Sequence, residues 1–76
     1  MREIDRLLKL LAGSSEGVTS YTLHQVHKIS LRCMEDAISR GYARGQVENV
    51  VGLTGKPVVR LHITKAGRAL LELTDA

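Results

Sequence analysis

Few residues of this sequence are of types that could hold a metal ion or carry out redox chemistry. They are the histidines at positions 24, 27 and 62 and the single cysteine at position 33. A structural zinc site needs four converging ligands, and the chain has no compact pair of cysteines. His24 and His27 share one helical face, but two histidines alone do not complete a zinc site. We therefore interpret them as hydrogen-bonded or solvated side chains, with a contact between His24 and a phosphate group as the alternative. We therefore expect no metal ion and no other cofactor.

Nucleophilic catalysis finds equally little support. Ser14 and Ser15 stand in a loop without a neighbouring base, and neither a nucleophile elbow nor a phosphate-binding loop is present. Cys33 follows Arg32, but an activated thiol needs exposure as well as positive surroundings. We interpret Cys33 as a core or boundary residue, with a redox sensor as the alternative, and we expect no enzyme.

The distribution of charge is the stronger functional signal. The net charge is +3, and residues 28–68 hold eight basic and three acidic side chains. This imbalance favours an anionic partner. Only Tyr21 and Tyr42 are aromatic, too few to build a stacking platform for single strands. Duplex DNA is therefore the favoured nucleic-acid partner.

Length and hydropathy indicate one small domain spanning residues 1–76, of which 43% are apolar. No apolar run is long enough for a membrane helix, and the first residues lack the apolar stretch of a signal peptide. Because the lone Cys33 cannot form an internal disulfide, we expect a cytoplasmic protein.

Apolar spacing predicts a first helix with one buried face formed by Ile4, Leu7, Leu8 and Leu11. We expect Gly13 to end this helix in the left-handed conformation. Leu10 lies off this face.

Two further helices should follow, separated by a tight turn at "HKIS". Ser20 or Thr22 should cap the second helix, with Leu23 and Val26 facing inward. Ser30 should cap the third. Its buried face is expected to contain Met34, Ala37, Ile38 and Gly41, and its end to lie near Gly45 with Arg44 in the last turn.

A hairpin and a last helix complete the predicted order. "QVENVVGL" and "VVRLHI" alternate as strands, and "TGKP" at residues 54–57 has the composition of a turn. The inward residues of the second strand should be Val59, Leu61 and Ile63. A consistent register pairs Val51 with Val59, Asn49 with Leu61 and Val47 with Ile63. Thr64 should cap the last helix, whose core-facing residues are expected to be Ala66, Leu70 and Leu73.

The stretch "YTLHQVHKISLRCMEDAISRGYARGQV" resembles the helix-turn-helix of MarR-type bacterial regulators, and "LHITKAGRALLE" is similar to their passage from wing strand to helix. The resemblance covers residues 4–73 and implies an α+β winged helix-turn-helix with three helices, a β-hairpin wing and a C-terminal helix. It implies a transcriptional regulator of bacterial or phage origin that binds specific double-stranded DNA. The chain is too short for the extra dimerisation helices of that family.

The same resemblance implies that the third helix enters the major groove and that the wing contacts the DNA backbone or minor groove. The DNA-binding residues carried over are Ser30, Leu31, Arg32, Glu35, Asp36, Ser39, Arg40, Lys56 and Arg60. Arg32 would read guanine, and Glu35 or Asp36 would accept from cytosine. Asp36 is also expected to neutralise Arg32 in part, four positions away.

Two further hypotheses stay open at this stage. The acidic pair Glu35 and Asp36 suits a winged helix that contacts another protein, as an adaptor or subunit. Leu10 and Leu71, both off the buried faces, suggest a homodimer patch formed where the first and last helices pack together.

Overall fold

The computed structural model describes residues 2–49 and 57–74. They form an α+β fold with four helices and a three-stranded antiparallel sheet. The elements in chain order are α1 (Glu3–Ala12), β1 (Val18–Thr19), α2 (Ser20–Gln25), α3 (Leu31–Ser39), β2 (Ala43–Asn49), β3 (Pro57–Ile63) and α4 (Lys65–Thr74).

The core lies where α1, α2 and α3 meet one face of the sheet. Its buried side chains are Leu7, Leu11, Leu23, Ile29, Met34, Ala37, Ala43 and Leu61. The predicted apolar face of α1 is confirmed, with Leu8 also buried and Ile4 packed against the core. Gly13 caps α1 with a right-handed φ of −79°, so the expected left-handed ending was wrong.

The start of α2 differs from the prediction by one residue. Thr19 is the N-cap, and its Oγ1 accepts a hydrogen bond of 3.2 Å from the Thr22 N–H. Leu23 is buried as expected. Val26 is 65% exposed, because α2 ends at Gln25 and the chain has already left the helix.

Helix α3 is shorter than predicted. Ser30 caps its start as expected, and Met34 and Ala37 are buried. Its end lies at Ser39, because Gly41 takes a positive φ of 80°. The Gly41 N–H then bonds to the Ile38 carbonyl and the Tyr42 N–H to the Ala37 carbonyl, which closes the helix. Gly41 is therefore a terminating residue outside the buried face, and Ile38 is 39% exposed, so the predicted burial of both was wrong.

This early ending places Arg44 on β2 and lengthens that strand toward its N-terminus. Ala43 pairs with Ile63, Gly45 with Leu61 and Val47 with Val59. The predicted register was wrong by four residues along β2. The shift is even, so Val47 still shares a face of the sheet with Val59 and Leu61, because strand side chains alternate with a period of two, but Val47 is 65% exposed. Val51, Leu53 and residues 54–56 of the predicted turn lie outside the described residues.

The sheet has the strand order β1-β3-β2. The two-residue strand β1, which sequence did not predict, pairs Val18 with Leu61 and Thr19 with Arg60. On β3, Leu61 is buried and Val59 and Ile63 pack against the core, as predicted.

Helix α4 begins as predicted but buries a different face. Thr64 Oγ1 accepts from the Gly67 N–H at 3.1 Å and donates to the Gly41 carbonyl at 2.6 Å. Gly67 is buried against the Tyr42 carbonyl, which a Cβ at this position would overlap. This contact turns Ala66 and Leu73 outward, so both are exposed and their predicted inward orientation was wrong.

Helices α1 and α4 pack side by side, as expected. Leu10 packs against the core and Leu71 is half-buried, so both leucines are partly covered within the single chain. Across the described ranges, no helix has the length and apolar character needed to span a bilayer.

Candidate functional site

The exposed face of α3 is the surface on which most of the predicted site residues meet. Leu31 and Arg32 begin it, and Leu31 is 55% exposed. Glu35, Asp36, Ser39 and Arg40 continue this face along the helix, and all are exposed. The face therefore combines an apolar side chain and an arginine at one end with mixed charges at the other.

The charges on this face pair differently from the expectation. Asp36 Oδ1 lies 3.0 Å from Arg40 Nε, so its ion pair is directed toward the end of the helix. Within the described part of the chain, Arg32 has no ion pair or hydrogen bond through its side chain. The predicted neutralisation of Arg32 by Asp36 was wrong, because Arg40, one turn further on, is the partner. Arg32 thus keeps all its donors for a ligand.

The start of α3 is fixed by a residue from α1. Glu3 accepts two hydrogen bonds from Ser30, one from the backbone N–H at 3.0 Å and one from the hydroxyl at 2.9 Å. The Ser30 hydroxyl accepts in turn from the Cys33 N–H at 3.1 Å. These hydrogen bonds from the Ser30 backbone and hydroxyl hold the pKa of Glu3 below its ordinary value. Ser30, predicted as a DNA contact, is engaged inside the protein.

The turn between α2 and α3 is held at several points. Arg6 donates a 2.7 Å hydrogen bond to the His27 carbonyl, and His24 Nδ1 lies 3.0 Å from the Ile29 carbonyl. Lys28, between them, has a φ of 59°, the left-handed conformation that reverses the chain. Glu3 and Arg6, three positions apart on α1, therefore brace the turn that sets the direction of α3.

Beside this turn lies a cavity of about 410 Å³, lined by Glu3, Ile4, Ser30, Arg32, Cys33 and Asp36. Burial raises the pKa of the Cys33 thiol to about 11, and the charge and hydrogen bond of Glu3 act in the same direction. A thiol of this kind holds its proton at neutral pH, which disfavours the redox-sensor alternative.

The remaining predicted site residues lie away from α3. Arg60 is half-buried on β3, opposite Gln46 and Thr19, and points to the face of the sheet that does not pack on the helices. The sheet therefore separates it from the exposed face of α3. Lys56 lies outside the described residues.

The histidines do not converge. His62 packs against Gly17, and its buried Nε2 has no hydrogen-bond partner among the described atoms. In residues 2–49 and 57–74, no three His, Cys, Asp or Glu side chains are grouped as metal ligands would be.

Sequence reasoning missed Glu3 and Arg6 as supports of the site. Glu3 and Ser30 are 27 positions apart, and Arg6 and His27 are separated by 21. The available signal was weak: two charged residues with i, i+3 spacing beside the apolar stripe of α1. Such spacing shows that they share a face, but not what they contact.

Comparison with known proteins found no matching family model, no matching curated protein and no matching solved structure. Function is therefore inferred from the geometry and charge of the chain itself.

Proposed function

We propose that this chain is a winged helix-turn-helix protein that binds specific sequences in duplex DNA. The observation that carries this proposal is α3 itself, whose exposed face begins with the unpaired Arg32 on a braced turn. The order of helices and the antiparallel hairpin are compatible with such a fold. In this function α3 enters the major groove, which is wide enough to admit a helix.

The hairpin of β2 and β3 is the proposed wing. Lys56 belongs to the connection between these strands and would contact phosphate without reading bases. The excess of basic residues between positions 28 and 68 supplies the electrostatic attraction. A transcriptional regulator acting in the cytoplasm is the role that suits such a module.

A salt series tests this proposal directly. Affinity for duplex DNA should fall steeply as salt rises, because each neutralised phosphate releases counterions. Fluorescence anisotropy with a random-sequence duplex, measured from about 20 mM to about 200 mM salt, gives the slope. Absence of binding to any duplex at the lowest salt would refute DNA binding.

Two substitutions, one of an arginine and one of a lysine, distinguish base reading from phosphate contact. Arg32→Ala should cost roughly 1–3 kcal/mol on the preferred site and relax sequence preference. Lys56→Ala should weaken all sequences alike and lower the salt slope by about one. Lys65→Ala, at the start of α4, is the matched control for loss of one positive charge. Equal, sequence-independent losses from Arg32→Ala and Lys56→Ala would mean that α3 does not read bases.

A second candidate function is contact with another protein. Tyr21 on α2 is 72% exposed and Val26 follows at the helix end, so large apolar side chains stand in solvent near the turn. Interface cores are enriched in aromatic residues, and Glu35 would suit a basic partner. This alternative predicts affinity for a protein partner and no affinity for duplex DNA, even at low salt.

We also propose that two copies associate through α4. Its exposed apolar residues Ala66, Ala69 and Leu73 recur at i, i+3 and i+7, which places them on one face. This face replaces the patch of Leu10 and Leu71 that the sequence suggested. A two-fold dimer would present two α3 helices to a palindromic site.

A further inference from the structure

The beginning of α3 carries two neighbouring side chains of very different chemistry, Leu31 and Arg32. Both are exposed, and neither has a polar partner among the described residues. Leu31 is 55% exposed, so more than half of its apolar surface gains nothing from burial. Its neighbour Arg32 retains a complete set of guanidinium donors, because Asp36 is held by Arg40.

The backbone under these two side chains is fixed before any ligand arrives. Ser30 is bonded to Glu3 at two atoms and to the Cys33 N–H, so the first turn of α3 has its cap satisfied. A fixed backbone leaves only side-chain rotamers to be ordered on binding, which lowers the entropic cost of recognition.

From this geometry we infer that α3 reads a thymine next to a guanine, with Leu31 against the thymine 5-methyl group and Arg32 on guanine O6 and N7. The inference rests on the proposed DNA-binding function. Leu31 and Arg32 are the first two residues of α3, and the N-terminal residues of a recognition helix are the ones that contact base edges. An apolar side chain has one distinctive partner there, the thymine methyl, and arginine pairs with guanine in a bidentate manner.

Base analogues test each contact separately. The preferred duplex is first selected from a random library at low salt. Each thymine is then replaced in turn by deoxyuridine, which lacks only the methyl group, and each guanine by 7-deazaguanine, which lacks the N7 acceptor. Affinities are measured for the wild type, Leu31→Ala, Leu31→Met and Arg32→Ala.

One thymine should be sensitive in the wild type, losing about fourfold in affinity, the value of one buried methyl group. Leu31→Ala should no longer distinguish that thymine from deoxyuridine, whereas Leu31→Met should. The adjacent guanine should lose about tenfold with 7-deazaguanine in the wild type and little in Arg32→Ala. Glu16→Ala, which truncates an exposed side chain in the loop after α1, should leave the analogue pattern unchanged.

Sequence-specific binding in which no thymine is sensitive, or in which the sensitivity survives Leu31→Ala, would overturn the inference and leave the proposed function standing. Binding without any sequence preference would also overturn it while DNA binding remains. No binding to any duplex at low salt would remove both. Circular dichroism of each variant separates loss of contact from loss of fold.

Discussion

At the scale of single residues, Glu3 ties the start of α3 to α1. It is the acceptor for both Ser30 donors, and those bonds keep the pKa of its carboxyl low. A carboxylate at a helix N-terminus also meets the positive end of the helix dipole. The negative charge at this point therefore stabilises the fold and occupies the donors that an external anion would otherwise use.

The low pKa of Glu3 has a consequence for acid stability. Because the pKa is lower in the folded chain than in the unfolded chain, ionised Glu3 stabilises the fold above about pH 4.3. That stabilisation is lost as pH falls through the lowered pKa of the folded state. Glu3→Gln should therefore melt below the wild type at pH 7, and the gap should close under acid conditions.

Thermal melts by circular dichroism from pH 7 to about pH 2.5 measure this gap. Glu16→Gln, in the exposed loop after α1, is the matched control and should follow the wild type. Asp5 also has a lowered pKa, caused by its hydrogen bonds from Arg2, so both proteins keep some acid sensitivity. A gap between wild type and Glu3→Gln that stays constant with pH would contradict the assignment.

Cys33 should be a poorly reactive thiol. With its pKa raised to about 11, its thiolate is scarce at neutral pH. Alkylation by iodoacetamide at pH 7.5 should be roughly two orders of magnitude slower than for an ordinary thiol of pKa about 8.5. Glu3→Gln should speed the reaction, because it removes a negative charge beside the sulfur. Equal rates for the folded and the denatured chain would refute the prediction.

At the scale of elements, periodicity predicted the buried face of α1 because that helix packs on the core through large aliphatic side chains. It failed on α4, where the closest contact is made by a glycine. Hydrophobic patterns give no weight to Gly67, yet its lack of a Cβ allows α4 to approach the Tyr42 carbonyl. The real inward face contains Gly67, Leu70 and Leu71, and the predicted face was rotated away from it.

The predicted register of the hairpin was wrong for a related reason. The prediction ended α3 near Gly45, so the first residues of β2 were assigned to the helix. Gly41 closes α3 earlier, and Ala43 becomes available to pair with Ile63. The inward residues of β3 were still predicted correctly, because alternation fixes which face a residue occupies but not which residue it opposes, whereas Val47 on β2 is 65% exposed.

Much of the candidate site on α3 was predictable, and its supports were not. The cap at Ser30 and the exposed residues after it follow from local pattern. The bonds from Glu3 to Ser30 and from Arg6 to His27 join distant parts of the chain, and the pairing of Asp36 with Arg40 required knowledge of rotamers. A sequence specifies such partners only through the complete fold.

Glycine substitutions test the account of α4. Gly67→Ala should destabilise the protein by roughly 1–3 kcal/mol, because the added Cβ overlaps the Tyr42 carbonyl and forces the helix away. Gly13→Ala is the matched control. Its φ is right-handed and its nearest neighbour is 3.6 Å from the added Cβ, so the change should be neutral or slightly stabilising.

Chemical denaturation with urea gives both free energies of unfolding. If Gly67→Ala proved as stable as the wild type, close packing of α4 on Tyr42 would not be what orients this helix. A loss of several kcal/mol in Gly13→Ala would equally contradict the right-handed ending of α1.

At the scale of the whole molecule, the two proposed surfaces lie on different elements. The proposed DNA recognition would use α3, near the braced turn, whereas the proposed association of two copies would use the outward face of α4. Because the helices that carry these faces are separate, a substitution on α4 should leave the base contacts of each α3 unchanged, and a substitution on α3 should leave dimerisation unchanged. This separation makes the oligomeric state testable without disturbing the fold.

The final prediction concerns that state. Leu73 is 77% exposed and shares its face of α4 with Ala66 and Ala69, whose small side chains permit close approach of a second helix. Leu73→Glu would place two carboxylates together across a two-fold axis, so the dimer expected for the wild type at micromolar concentration should dissociate. Gln25→Glu, which adds the same charge on the exposed side of α2, should remain dimeric.

Leu10→Glu with Leu71→Glu would be a poorer test, because both leucines are partly buried and the fold itself would loosen. Sedimentation equilibrium decides between the outcomes: a monomeric wild type, or a dimer that survives Leu73→Glu, would rule out this face as the interface.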